Sequence, residues 1–162
     1  MMFKRFQKAT VTIMAALCML SLLAGIFGCA KKTDIRDIVS FKFTYQTGNA
    51  MNADIRYGVT VDENGITASI KPDGADEDST VTVAVSREFL DELESVLLRY
   101  DVGRWNGFNG NNKMVLDGKS FYMGLTTASG DSLEAHGYAR YPSNFAEVRQ
   151  ELDRLFMALI QQ

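Results

Sequence analysis

From Ile38 to Thr47 apolar and polar side chains alternate, with Phe41, Phe43 and Tyr45 on one side and Lys42, Thr44 and Gln46 on the other. A period of two is the mark of a half-buried strand. Gly48-Asn49 can turn the chain. Ala53 to Val61 then alternates again, sending Ile55, Tyr57, Val59 and Val61 inward and Asp54, Arg56 and Thr60 outward. Asp62-Glu63-Asn64-Gly65 is a hairpin signal, because Asn-Gly accepts the positive φ of tight β-turns. Ile66, Ala68 and Ile70 continue the inward face, and Val81, Val83 and Val85 make a fourth strand. Met114-Val115-Leu116, Lys119 to Thr127 and Ser132 to Arg140 complete about six to seven strands by the same pattern.

The period changes twice. After Ser86, placed to cap a helix, Phe89, Leu90, Leu93, Val96, Leu97 and Tyr100 fall at helical spacing, with Gly103 as a stop. After Tyr141-Pro142, Asn144 and Glu147 stand at capping-box spacing before the stripe Phe145, Val148, Leu152, Leu155, Phe156 and Leu159. The order strands, helix, strands, helix predicts an α+β domain over residues 38–162, an antiparallel sheet with two amphipathic helices on one face. The small inward residues Ala135, Gly137 and Ala139 predict close approach of a helix.

The first thirty residues follow a different logic. Lys4, Arg5 and Lys8 precede an almost uncharged apolar run from Ala9 to Phe27, which ends in Gly28-Cys29-Ala30. That is the layout of a secretory signal. Its length is also near the roughly 20 residues of a spanning helix, but the cysteine favours export. Ile26-Phe27-Gly28-Cys29 resembles a bacterial lipobox. The resemblance implies cleavage after Gly28 and a diacylglycerol on the Cys29 thiol. Residues 1–28 are then a lipoprotein signal peptide, and residues 29–37, polar from Lys31 to Asp37, a short lipid-anchored tether.

Composition narrows the function classes. Subtracting Lys4, Arg5 and Lys8 from 17 basic residues leaves 14 against 20 acidic, a mature balance of −6 that argues against nucleic acid. Cys18 lies in the removed segment and Cys29 carries lipid, so no thiol remains for a disulfide, zinc or nucleophile. His136 is the only histidine, and no cofactor signature is present. Asp73, Asp76, Glu77 and Asp78 lack EF-hand spacing and read as a solvated loop.

Two places offer candidate contacts. Arg104-Trp105-Asn106-Gly107-Phe108-Asn109-Gly110-Asn111-Asn112 is a turn-rich loop with the chain's one Trp. It reads either as an exposed aromatic binding loop or as two rings folded back on the core, the second favoured by the ~1.5–3 kcal/mol gained on burying such a side chain. On the sheet face away from the helices, Glu134, His136, Tyr138 and Arg140 would project from the last strand beside Tyr122. A Glu and a His there can share a proton and an Arg can hold an anion, but no nucleophile, base and oxyanion donors occur together.

Trp105-Asn106-Gly107-Phe108, Val115 to Phe121, Gly137-Tyr138 and Tyr141-Pro142-Ser143-Asn144-Phe145 together resemble small lipoproteins of anaerobic Gram-positive bacteria. The resemblance implies a lipoprotein on the outer face of the cell membrane and nothing catalytic. The expected function is a non-enzymatic binding or accessory domain, with the membrane as one partner and an envelope protein or glycan as another. The alternatives are a purely structural envelope protein and a hydrolase-type enzyme using His136 and Glu134.

Overall fold

The computed structural model describes residues 32–47 and 54–161. The export segment expected at residues 1–28, the acylation expected at Cys29 and the expected Gly48-Asn49 turn lie outside them. The elements are β1 (Ile38–Thr47), β2 (Asp54–Asp62), β3 (Gly65–Lys71), β4 (Val81–Ala84), α1 (Arg87–Arg99), β5 (Asn109–Asn111), β6 (Lys119–Thr127), β7 (Ser132–Tyr138) and α2 (Phe145–Met157). One seven-stranded sheet runs β4-β3-β2-β1-β6-β7-β5, antiparallel except where β5 joins β7 in parallel. The protein is therefore α+β, as its periodicities predict.

The inward residues of the alternation form the core with the stripes of both helices. Phe41, Phe43, Met123 and Ala135 from the sheet are buried with Leu90, Leu93 and Leu97 of α1 and Val148, Leu152 and Phe156 of α2. Phe156 stacks on Tyr57 at 4.6 Å between ring centroids and meets Phe89 edge-on at 5.4 Å. Such aromatic pairs add about 0.5–1.5 kcal/mol beyond area burial. The Tyr57 hydroxyl donates to Asp153 Oδ1 at 2.9 Å. Burial pushes that phenol far above its ordinary pKa, and the Asp153 charge reinforces the rise.

Local chemistry departs from the sequence reading in several places. Ser86 precedes α1 with extended dihedrals but makes no capping bond; its hydroxyl bonds Glu88 instead and holds that carboxyl below its ordinary pKa. Asn144 precedes α2 in the left-handed region, φ 62°, and its side chain makes no cap either. At the β2–β3 hairpin Asn64 keeps a negative φ; its N–H is held by Asp62 Oδ1 at 2.8 Å, and Gly65 takes the positive φ of 129°. Met114-Val115-Leu116 is a turn, not a strand, with Met114 93 % and Leu116 89 % exposed. Its place in the sheet is taken by Asn109–Asn111.

Part of the segment expected as a tether, residues 29–37, is packed on the domain. Thr33 and Ile35 are buried, and the Thr33 N–H donates to the Gly103 carbonyl at 3.0 Å. The folded unit accordingly runs Lys32–Gln162. Glu94 of α1 is buried, and its Oε1 accepts the Ile38 N–H at 2.8 Å where β1 begins. Replacing Glu94 by Ala removes that acceptor and should cost about 1–3 kcal/mol of unfolding free energy. Glu94→Gln keeps an acceptor oxygen and should cost less, a ranking that urea denaturation will check.

A second buried charge sits at the far end of the sheet. Lys71 is fully buried, and its Nζ donates to Asp54 Oδ1 at 2.6 Å and to the Asp54 carbonyl at 3.2 Å. Burial opposes the Asp54 charge, but hydrogen bonds from Lys71 and Arg56 outweigh it and hold the carboxyl below its ordinary 3.8. The resulting stability is fully present above pH 3.8 and is lost as pH falls through the depressed value. Lys71→Ala leaves the Asp54 charge to Arg56 alone and should destabilise the fold by about 1–3 kcal/mol at pH 7. The deficit should shrink in the most acidic unfolding titrations, where Asp54 is neutral in both proteins.

Candidate functional site

The last turn of α1, the Val102–Trp105 turn and the loop from Arg140 to Asn144 enclose an open groove of about 550 Å³. Trp105 forms its floor. The indole is 3 % exposed, lies 6.0 Å from the Phe145 ring and 6.3 Å from Phe121, and donates Nε1–H to the Ser143 carbonyl at 3.2 Å. Trp105 is thus not an exposed ligand contact: the ring folds back because the apolar face of the sheet offers it partners. Phe108 is half-buried on Phe121 at 6.1 Å.

Glycines make this packing possible. Gly110 and Gly137 lie opposite each other in β5 and β7. A Cβ on Gly137 would meet the Arg140 carbonyl and the Phe121 ring, and one on Gly110 would meet the Phe108 ring at 2.6 Å. The small residues of β7 therefore admit a backbone bend and aromatic rings rather than a helix. That bend brings Ala139 to φ 47°, and Asp101 and Asn144 also have positive φ. Left-handed backbone is unfavourable for alanine and persists where its surroundings over-determine it. Here the Ala139 N–H is fixed to the Lys119 carbonyl at 2.9 Å.

Charge at the rim is unevenly committed. Asp101 pairs with Lys32 at 2.6 Å and with Arg104. The Lys32 hydrogen bond does most to hold its carboxyl below the ordinary value. Arg140, by contrast, is exposed, and its guanidinium makes no hydrogen bond or ion pair among the described residues. Beside it, the Tyr141 hydroxyl donates to the Lys119 carbonyl at 2.9 Å, and its ring stacks on Phe145 at 4.6 Å. Burial, with Tyr45 adjacent, pushes that phenol up to about 12.

The other predicted contacts lie elsewhere. Tyr122, Glu134 and His136 are on the opposite sheet face, where Lys42, Tyr122 and Glu134 line a shallow depression of about 300 Å³. The Tyr122 ring lies over Gly124 of its own strand. Neither Glu134 nor His136 forms a side-chain hydrogen bond among the described residues. Tyr138 is structural: its hydroxyl accepts the Gly118 N–H at 2.9 Å and donates to the Leu116 carbonyl at 2.6 Å, closing the turn that replaced the expected strand. No group of three His, Cys, Asp or Glu among the described residues is placed to hold a metal ion.

Of the predicted contacts the structure brings Trp105, Phe108 and Arg140 together. It adds Tyr100, Arg104, Tyr141 and Asn144, of which Tyr141 and Asn144 fall in the Tyr-Pro-Ser-Asn string without a periodic signal. No family model matches the chain, and no curated protein matches it significantly. Gly137→Ala should destabilise the protein by about 1–3 kcal/mol through overpacking against backbone and ring. It should also red-shift the emission of Trp105 as the groove floor loosens, measurable by thermal melting and fluorescence on one sample.

Proposed function

We propose that this chain is a lipid-anchored extracytoplasmic binding domain, non-enzymatic, held to the outer face of the cell membrane through acylated Cys29. The observation that carries the binding role is the uncommitted Arg140 guanidinium at the rim of an open groove floored by Trp105. A guanidinium offers paired donors to a carboxylate, and a hydrogen bond to a charged group contributes about 1.5–3 kcal/mol. The exposed edge of Tyr141 supplies an aromatic surface for the uncharged part of a ligand. The groove fits an extended, carboxylate-bearing component of the envelope, such as a glycan strand or its peptide. The Lys4-Arg5 start, the apolar run and Ile26-Phe27-Gly28-Cys29 support the location.

Trp105 is the chain's one tryptophan and reports on the groove directly. Titration with soluble peptidoglycan fragments should change its emission, and Arg140→Ala should weaken the apparent affinity about tenfold or more. An unchanged emission, or equal affinity in the variant, sinks the groove as the binding site. Separately, Cys29→Ser should abolish both the acyl mass and membrane fractionation, whereas retention of residues 1–28 in both proteins would sink the anchor.

A further inference from the structure

The anchor proposed at Cys29 and the first packed residue of the domain are close in sequence. Only Ala30 and Lys31 separate Cys29 from Lys32, and three residue steps of extended chain reach about 11 Å. Lys32 is fixed by its ion pair with Asp101, and Thr33 by its bond to Gly103. A diacyl anchor at Cys29 therefore allows the domain little freedom to choose which surface meets the bilayer.

Two exposed apolar surfaces compete for that place. One is Leu98, 43 % exposed, in a depression of about 480 Å³ shared with Lys32 and Arg36. The other is the Met114–Leu116 turn. Thr33 Oγ1 touches the Ser132 carbonyl at the start of β7, whereas Tyr138 at its end holds the Leu116 carbonyl. Six strand steps, about 20 Å, separate those two points. The turn thus lies about 20 Å along β7 from Thr33, whereas the Leu98 depression is lined by Lys32 and Thr33 themselves.

Charge points the same way. Segments 32–36 and 98–104 carry Lys32, Arg36, Arg99 and Arg104 against Asp34 and Asp101, a local balance of +2 in a mature chain of −6. Arg99 makes no ion pair among the described residues. The rest of the mature chain, at −8, is repelled by anionic lipid. An asymmetric charge of this kind orients a molecule that its acyl chains already hold, within a Debye length of about 8–10 Å.

From chain length and charge we infer that the Leu98 surface, lined by Lys32 and Arg36, is the face that rests on the bilayer and contacts anionic lipid headgroups. The Met114–Leu116 turn then points away from the membrane. This rests on the proposed acylation of Cys29 and adds to it a fixed orientation.

The test uses the mature lipoprotein in vesicles of phosphatidylcholine with or without phosphatidylglycerol, doped with headgroup nitroxide lipid. Leu98→Cys and Leu116→Cys each introduce the one free thiol, since the Cys29 thiol is acylated and Cys18 removed. A fluorophore at 98 should be quenched at least about threefold more than one at 116 on anionic vesicles at low salt, and the difference should fall as salt shortens the Debye length. Stronger quenching at 116, or none at either position, overturns the orientation. Equal quenching at 98 with and without phosphatidylglycerol overturns the headgroup assignment. Intact mass separates the two levels: quenching that fails on a protein with acylated Cys29 refutes the orientation, while a missing acyl mass refutes the anchor beneath it.

Discussion

The Phe145 ring holds the working end of this domain together. It sits at the first position of α2, against Phe43 and Tyr45 of β1, Phe121 of β6, Trp105 and Tyr141, at centroid distances from 4.6 to 6.3 Å. The five neighbours arrive from four parts of the chain, so the ring fixes where the helix starts, where the 140–144 loop lies and how deep the indole sinks. The groove exists because these rings pack on the sheet and leave the polar groups of the loop above them. Burial of apolar surface is non-directional; the shape comes from the few hydrogen bonds that pin each ring, such as Trp105 Nε1–H to Ser143 and the Tyr141 hydroxyl to Lys119.

Charges inside the domain act at the ends of strands rather than in a site. Glu94 accepts the first N–H of β1, and Lys71 binds Asp54 where β2 begins. Each satisfies a partner that burial would otherwise leave exposed to a low dielectric, where an unpaired charge is costly. Neither lies in the groove. Its rim instead carries Arg140, whose charge is held by no described partner, so the committed charges are the ones that finish strands and the uncommitted one lies at the groove.

Most of the fold was legible because it is written in periods. Phe41-Phe43-Tyr45 and Phe121-Met123-Leu125 could only be strands with one buried face, and the stripes through Leu90 and Leu152 only amphipathic helices. What escaped has no period. Asn109–Asn111 has no apolar side chain and joins the sheet through backbone pairing beside Gly137; Ile35 is a lone apolar residue in a polar segment. Met114-Val115-Leu116 has the composition of a strand, yet a run of three cannot say what covers it. Lys71 and Asp54 follow the outward alternation of their strands, and their burial is set by tertiary neighbours. At the candidate site, the aromatic content of the 104–110 loop and the Arg140 charge were visible, but their convergence was not. It depends on a bend at Ala139 that two glycines on separate strands permit.

The N-terminal segment and the groove are mechanically joined. Asp101 is held from one side by Lys32, at the end nearest Cys29, and from the other by Arg104 of the groove rim. Thr33 extends the same link, since its Oγ1 accepts the Asn106 amide at 2.8 Å and its N–H binds Gly103. The chain at residues 32 and 33 is therefore tied to the turn that carries Trp105 by one ion pair and two hydrogen bonds. With Thr33 and Ile35 packed, this stretch belongs to the same folded unit as the groove.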